Sequence, residues 1–339
     1  MNIGNITLPD NPLLLAPMED VTDQSFRLLC KDFGADMMYT EFISSDGLIR
    51  DAAKSLKKLD IAHQERPVGI QIYGNQIEPM VEAAKIAQGA CPELIDINFG
   101  CPVKKIAGRG AGSGMMRTPD LMVEITRKVV EAVDLPVTVK TRLGWDEESK
   151  NIEEIALRLQ DVGIAALTIH GRTRAQMYKG EADWSLIGAV KNNPQIKIPI
   201  IGNGDINSGE KAKEMIDRYG VDGIMIGRAT YGRPWIFRQV RHYLETSEHL
   251  PEVTLQERID LARRHLALSV DYKGERVGVL ELRRHTSCYF KGLPNFRDTR
   301  RRLVTEPTAS GVLEILREIE TGWQGFDFTD VAPTTVYGV

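Results

Sequence analysis

Between residue 13 and about residue 245 the chain repeats one hydropathy pattern. A short apolar, often β-branched run closes on polar or glycine residues, and a stretch with apolar residues three and four apart follows it. Eight such runs occur: "LLLAPM" (13–18), "MMYTEF" (37–42), "VGIQIYG" (68–74), "LIDINFG" (94–100), "PVTVKTRLG" (136–144), "ALTIHGRT" (166–173), "IPIIGNGD" (198–205) and "GIMIGR" (223–228). Strands alternating with helices require crossover connections and a parallel sheet. Eight repeats within about 230 residues match an α/β (β/α)8 TIM barrel, with a doubly wound open sheet as the alternative.

Thr22, Asn75, Thr118 and Ser208 stand just before helical patterns, where each side chain can accept from the first free amides. Pro119 suits a first helical position. "GRPWIFRQVRHYLET" (232–246) reads as the eighth helix and "SEHLPEV" (247–253) as a linker. Beyond it the strand signal stops, and three stretches with helical spacing predict a small all-helical domain. The predicted division is therefore a barrel over 1–246 and a helical domain over 247–339.

Composition narrows the class. With 42% hydrophobic and 27% charged residues in 339, the chain is an ordinary globular protein with enough length for a large core. No apolar run approaches the roughly 18 residues that span a bilayer, and "MNIGNITLPDN" has no leader pattern, so the cytoplasm is the expected location. Cys30, Cys91, Cys101 and Cys288 are too scattered for a zinc site or an evident disulfide frame, so free thiols and no metal are expected. The net charge of −4 conceals a basic stretch: Arg283, Arg284, Lys291, Arg297, Arg300, Arg301 and Arg302 stand against Asp298 alone between residues 283 and 302. That imbalance points to a surface for anions.

In a parallel barrel the C-terminal strand ends converge on one face, where active sites lie. The residues closing the eight runs are Pro17 and Met18, Glu41, Gln71, Asn98 with Cys101, Lys140 with Arg142, His170 with Arg172, Asn203 with Asp205, and Gly227 with Arg228. The glycine-bearing loops after runs seven and eight suit a phosphate, which Arg228 can also meet. "VTVKTR" alternates strictly, so Lys140 faces the barrel mouth with Thr138 and Arg142, either as a Schiff-base nucleophile or as a cation beside an electron-rich ring. Cys101 follows a strand, between Gly100, which permits a sharp turn, and Pro102. A thiol there can donate a proton or attack as thiolate. The other three cysteines are assigned to packing.

The motifs "LAPMEDVTDQSFR", "QIYG", "DINFGCPVKK", "TVKTRLGW", "TIHGRTR", "NGDI" and "MIGRATYGRPWIF", in this order, resemble the tRNA-dihydrouridine synthases. The terminal "LELRRHTSCYFKGLP" is similar to the helical domain of their bacterial B-type branch. The resemblance implies a flavin oxidoreductase in which reduced FMN gives hydride to uracil C6 in tRNA, Cys101 protonates C5, and NADPH reloads the flavin. It implies FMN contacts from Pro17, Met18, Glu19, Gln71, Lys140, His170, Asn203, Gly204, Asp205, Gly227 and Arg228. Candidate contacts to tRNA are Asn98, Lys104, Lys105, Arg109, Arg142, Arg172, Arg283, Arg284, Lys291, Arg300, Arg301 and Arg302, with Tyr178 and Trp145 available to stack on bases. The chain is expected to act as a monomer, and a chain ending near residue 247 is expected to keep flavin binding while losing affinity for tRNA. A free-pyrimidine reductase of the dihydroorotate dehydrogenase kind, a Schiff-base aldolase using Lys140, and a non-catalytic RNA-binding barrel are the alternatives.

Overall fold

Alternation within each strand decides which side chains enter the barrel. In the computed structural model, which describes residues 1–329 and 331, strands β1 (Leu13–Leu15), β2 (Met38–Tyr39), β3 (Val68–Tyr73), β4 (Leu94–Asn98), β5 (Val137–Arg142), β6 (Ala166–His170), β7 (Ile200–Asn203) and β8 (Gly223–Ile226) pair in parallel. The sheet order is β1-β8-β7-β6-β5-β4-β3-β2, and a parallel bridge between Leu14 and Met37 closes the ring. The fold is the (β/α)8 barrel expected from the repeat.

Ile70, Ile72, Ile95, Ile97, Val137, Val139, Leu167 and Ile169 point outward into one core cluster beneath the helices. Leu14, Tyr39, Leu94, Ala166, Ile201 and Met225 fill the barrel's lower interior, with Ile3 and Leu8 packed among them. Those two come from a short N-terminal hairpin (Asn2–Ile3 with Ile6–Thr7) whose two-residue strands carry no periodicity to read. Above this apolar plug every inward position on β3 to β7 is polar, from Gln71 and Asp96 up to His170 and Asn203.

The barrel helices are α1 (Gln24–Asp32), α2 (Ser45–Ile49), α3 (Ile77–Gly89), α4 (Pro119–Ala132), α5 (Ile152–Asp161), α6 (Ser185–Asn192), α7 (Gly209–Tyr219) and α8 (Ile236–Thr246). Of the four expected caps, Ser208 accepts from the Lys211 amide. Thr22 gives way to Asp23, whose carboxylate accepts from Phe26, because the Thr22 hydroxyl is engaged with Met18. Asn75 donates its amide to the Arg109 carbonyl instead, and the Thr118 hydroxyl turns back to Met115 although Pro119 takes the first helical position.

After α8 come α9 (Leu255–Lys273), α10 (Glu275–Tyr289), α11 (Arg297–Thr305) and α12 (Ala309–Gly322). Residues 330 and 332–339 of the expected helical domain lie outside the described residues. These helices are fastened to the barrel: Lys273 pairs with Asp23 with both side chains almost buried, Arg264 pairs with Asp32, and Tyr272 and Lys57 exchange hydrogen bonds through each other's carbonyls at 2.9 Å. No described helix is long and apolar enough to cross a membrane.

Candidate active site

Strand register brings the polar residues together. Asn98 pairs with Lys140, and one inward step further along Arg142 pairs with His170 and His170 with Asn203, so neighbouring strands present these groups on two adjacent steps. They border a cavity of about 820 Å³ at the C-terminal face, which Pro17, Met18, Glu19, Cys101, Gly204, Asp205, Gly227 and Arg228 also line.

The floor is a relay of hydrogen bonds. Thr138 donates to one oxygen of Asp96 and Gln71 to the other, each at 2.5 Å. Gln71 in turn accepts from the Asn98 amide at 2.7 Å. Asn98 Oδ1 then accepts from the backbone of Gly100 and Cys101 at 3.0 and 2.9 Å. Gln71 thus reaches the cavity through Asn98 and does not line it. Burial raises the Asp96 carboxyl to about 6, with Thr138 and Gln71 pulling the other way. Sequence reading passed over Asp96 because an acid inside an apolar run carries no spacing signal.

Cys101 is 6% exposed and lines the cavity. Arg142 Nε holds the Gly100 carbonyl at 2.7 Å, and Ser113 caps the Cys101 carbonyl at 2.7 Å, so the turn is clamped from both sides. Gly112 (φ +55°) lies so near that an added Cβ would stand 3.1 Å from that of Cys101. Burial pushes the thiol's pKa up, against smaller opposing effects from the Val103 amide and Arg142. The thiol is therefore protonated at neutral pH.

Lys140 donates to Asn203 Oδ1 at 3.1 Å, and Asn203 donates to the Met225 carbonyl at 2.8 Å. Burial, then the charge of Arg142, lowers the ammonium to about 8. His170 is held well below the usual imidazole range by burial and by Arg142, Lys140, Arg172 and Arg228 in turn, so it is neutral. Asp205 (φ +56°) accepts from Arg172 at 2.9 and 2.6 Å, from Arg228 at 2.9 Å and from the Ala182 amide at 2.8 Å. Among the described residues no protein acceptor takes the N–H of Gly204, Gly227 or Arg228. Orphaned amides at the β7 and β8 loops form a cradle for an anion.

The candidates for RNA contact divide by exposure. Lys104, Lys105 and Arg109 are exposed beside the Cys101 turn, and Lys291, Arg297, Arg300, Arg301 and Arg302 are exposed in the helical region. Arg172 is fully buried, with its donors on Asp205, Lys179 and Gly180, which removes it from direct RNA contact. Arg142, 2% exposed, is spent on three carbonyls, and buried Asn98 on the Cys101 turn, so both act inside the cavity. Arg302 is paired twice with Glu318, and Arg284 reaches Asp20 at 3.7 Å. Tyr178 is exposed at the mouth beneath Arg142 and Arg228, while Trp145 lies between Arg117 and Arg174 at 4.3 and 4.5 Å. Two packing assignments are corrected. Cys91 is exposed in a left-handed turn, and Cys288 lines the cavity.

A protonated thiol, a half-buried lysine and unfilled amides facing one cavity at the C-terminal rim are the constitution of a (β/α)8 barrel enzyme. Two solved structures share the fold: histamine dehydrogenase from Rhizobium sp. 4-9 (TM-score 0.55, 11% identity, 79% of this chain and 50% of that one) and a 2-naphthoyl-CoA reductase complex (TM-score 0.56, 14% identity, 71% and 51%). The chain spans about half the length of each. A family model described as dihydrouridine synthase matches residues 14–320. Among curated relatives, tRNA-dihydrouridine synthase B of Pseudomonas aeruginosa is 44% identical over 300 residues (88% of this chain, 90% of that one). A probable tRNA-dihydrouridine synthase of Rickettsia conorii is 43% identical over 301 residues (88% and 90%). The chain belongs to the dihydrouridine synthase family, as its motifs imply.

Proposed function

We propose that this dihydrouridine synthase reduces the C5–C6 bond of uridines in tRNA, with FMN held in the cavity and NADPH as the source of electrons. The observation that carries the reading is the placement of the Cys101 thiol and the Lys140 ammonium on one cavity whose far loops offer unfilled amides. The residues fit a flavin mononucleotide. Gly204, Gly227 and Arg228 would take the phosphate, and Lys140 would face the electron-rich edge of the ring. His170, neutral, can accept or donate one hydrogen bond without adding charge. Bound there, reduced FMN supplies the hydride that uracil C6 receives.

Cys101 supplies the proton. Its Sγ–H bond breaks toward C5, and the thiolate is reprotonated from solvent. Asn98 and Arg142 hold the turn so that the sulfur points into the cavity rather than into packing. Taking a uridine out of folded RNA costs a few kcal/mol, which phosphate contacts elsewhere on the tRNA offset. The exposed cations on and near α11, with Lys104, Lys105 and Arg109 across the mouth, are the proposed source. A cytoplasmic monomer is the proposed acting form.

Tandem tests separate the parts. Mass spectrometry of tRNA from cells lacking this gene should show a uridine lighter by two hydrogens at the target position, restored when the gene returns; unchanged tRNA would remove the proposed substrate. In the free protein Lys140 is charged below about 8 and neutral above. Affinity for FMN should therefore fall as pH rises through about 8, and Lys140→Met should abolish that step and lower the bound flavin's reduction potential. A titration curve the same in both proteins would take Lys140 off the flavin. For RNA, Lys291→Ala and Arg300→Ala should each weaken tRNA binding and reduce the slope of log affinity against log salt by about 1. Arg302→Ala should change the slope less, because Glu318 already holds that charge.

A further inference from the structure

The barrel supplies most of the cavity wall but not all of it. Arg258 on α9, Arg284 and Cys288 on α10, and Lys291 just beyond α10 are among the residues that extend it. Helix α10 also sends one imidazole into the barrel. His285 is 3% exposed, its Nδ1 3.3 Å from the Gly232 backbone nitrogen and its Nε2 3.1 Å from the Val21 carbonyl oxygen. An amide N–H only donates and a carbonyl only accepts, so these partners fix the tautomer: Nδ1 accepts and Nε2–H donates.

Each hydrogen bond ends on a loop of the proposed flavin site. Val21 belongs to the loop after β1, where the amides of Val21 and Thr22 both close onto the Met18 carbonyl, beside Pro17, Met18 and Glu19 of the cavity wall. Gly232 ends the segment after β8, where Thr230 N–H closes onto Gly227 and Tyr231 N–H onto Arg228. Strands β8 and β1 are hydrogen-bonded neighbours, so the two loops lie side by side at the rim. The approach is close: Gly232 has φ +57°, and an added Cβ would stand 2.7 Å from the His285 carbonyl oxygen and from the Tyr289 nitrogen. The ring itself is wedged between Phe26 of α1, at 4.0 Å between centroids, and His265 of α9, at 4.8 Å.

We infer that His285 is a positioning residue for the cofactor site: through its two hydrogen bonds α10 holds the loops after β1 and β8 in register, so flavin affinity depends on the helical region as well as on the barrel. The inference rests on the flavin reading of the cavity. It revises the separation of roles expected from the sequence, in which flavin binding survives loss of everything beyond residue 247.

The test uses the full chain with His285→Phe, which fills the space without either hydrogen bond, His285→Asn, which keeps an acceptor at the Nδ1 position, and His285→Gln, which keeps a donor near Nε2. Amide hydrogen exchange is measured without flavin, FMN affinity by flavin fluorescence, and thermal unfolding in both states. His285→Phe should lose protection in 17–22 and 228–232 while α3 to α5 keep theirs, and should bind FMN at least about tenfold more weakly. His285→Asn should recover protection at 228–232 and His285→Gln at 17–22, each with part of the affinity. Unchanged exchange in both loops overturns the inference, and so do loosened loops with wild-type FMN affinity, or a uniform loss of protection in all three variants. Wild-type protein that binds no FMN instead defeats the flavin reading, and the exchange pattern still decides what His285 holds.

Discussion

Cys101→Ala is expected to bind flavin and accept electrons from NADPH as the wild type does, while forming dihydrouridine about 10²- to 10⁴-fold more slowly, the range that a positioned general acid contributes. The asymmetry follows from where the sulfur sits. The amides proposed to hold the flavin phosphate lie in the β7 and β8 loops, whereas Cys101 lies after β4 and is clamped by Asn98, Arg142 and Ser113. Removing Sγ leaves that clamp intact, because all three partners hold backbone atoms. Burial keeps the thiol protonated at neutral pH, which suits a proton donor and disfavours a resting thiolate nucleophile. Raising the pH toward the elevated thiol pKa should therefore lower the rate of the wild type and leave the residual rate of the alanine variant flat. Single-turnover assays with pre-reduced enzyme and unmodified tRNA isolate this step from flavin reduction. A variant that turns over at the wild-type rate would assign the proton to another group.

What could be read from the chain alone was whatever the period of a strand or the position of a glycine exposes. Strict alternation in "VTVKTR" placed Lys140 and Arg142 inside the barrel, and register across β4, β5, β6 and β7 then set Asn98 beside Lys140, and His170 and Asn203 in line with Arg142. Pairings between distant buried groups were not legible. Arg172 stands beside His170 in sequence and invites the same assignment, yet its partner is Asp205, and no local pattern announces that a guanidinium will be sealed from solvent. The buried pair of Arg27 with Glu65, at 2.5 Å, and the relay through Asp96 were missed for the same reason. Helix α11 was missed because "RDTRRRLVT" offers Leu303 as its one buried residue and so shows no apolar face. His285 was hidden differently: its partners lie 264 and 53 residues away, in loops whose mutual position depends on closure of the whole ring.

Asp205→Ala is expected to destabilise the protein by about 1–3 kcal/mol, the cost of leaving the buried Arg172 guanidinium without its half-exposed carboxylate partner. Arg172 is fully buried and donates two hydrogen bonds to Asp205, which accepts a third from Arg228. Without the carboxylate, the Arg172 charge would lose its counter-charge while staying close to Arg142 and Arg228, which raises the energy of the folded state. Alanine would also have to adopt the left-handed backbone at φ +56°, where aspartate and asparagine are better tolerated. Asp205→Asn should therefore lose less than alanine does, because its amide oxygen still accepts one hydrogen bond and its backbone is unstrained. Denaturant unfolding without added flavin measures both variants against the wild type. A loss below about 0.5 kcal/mol for alanine, the range of an ordinary surface substitution, would mean that the carbonyls of Lys179 and Gly180 hold the Arg172 charge unaided.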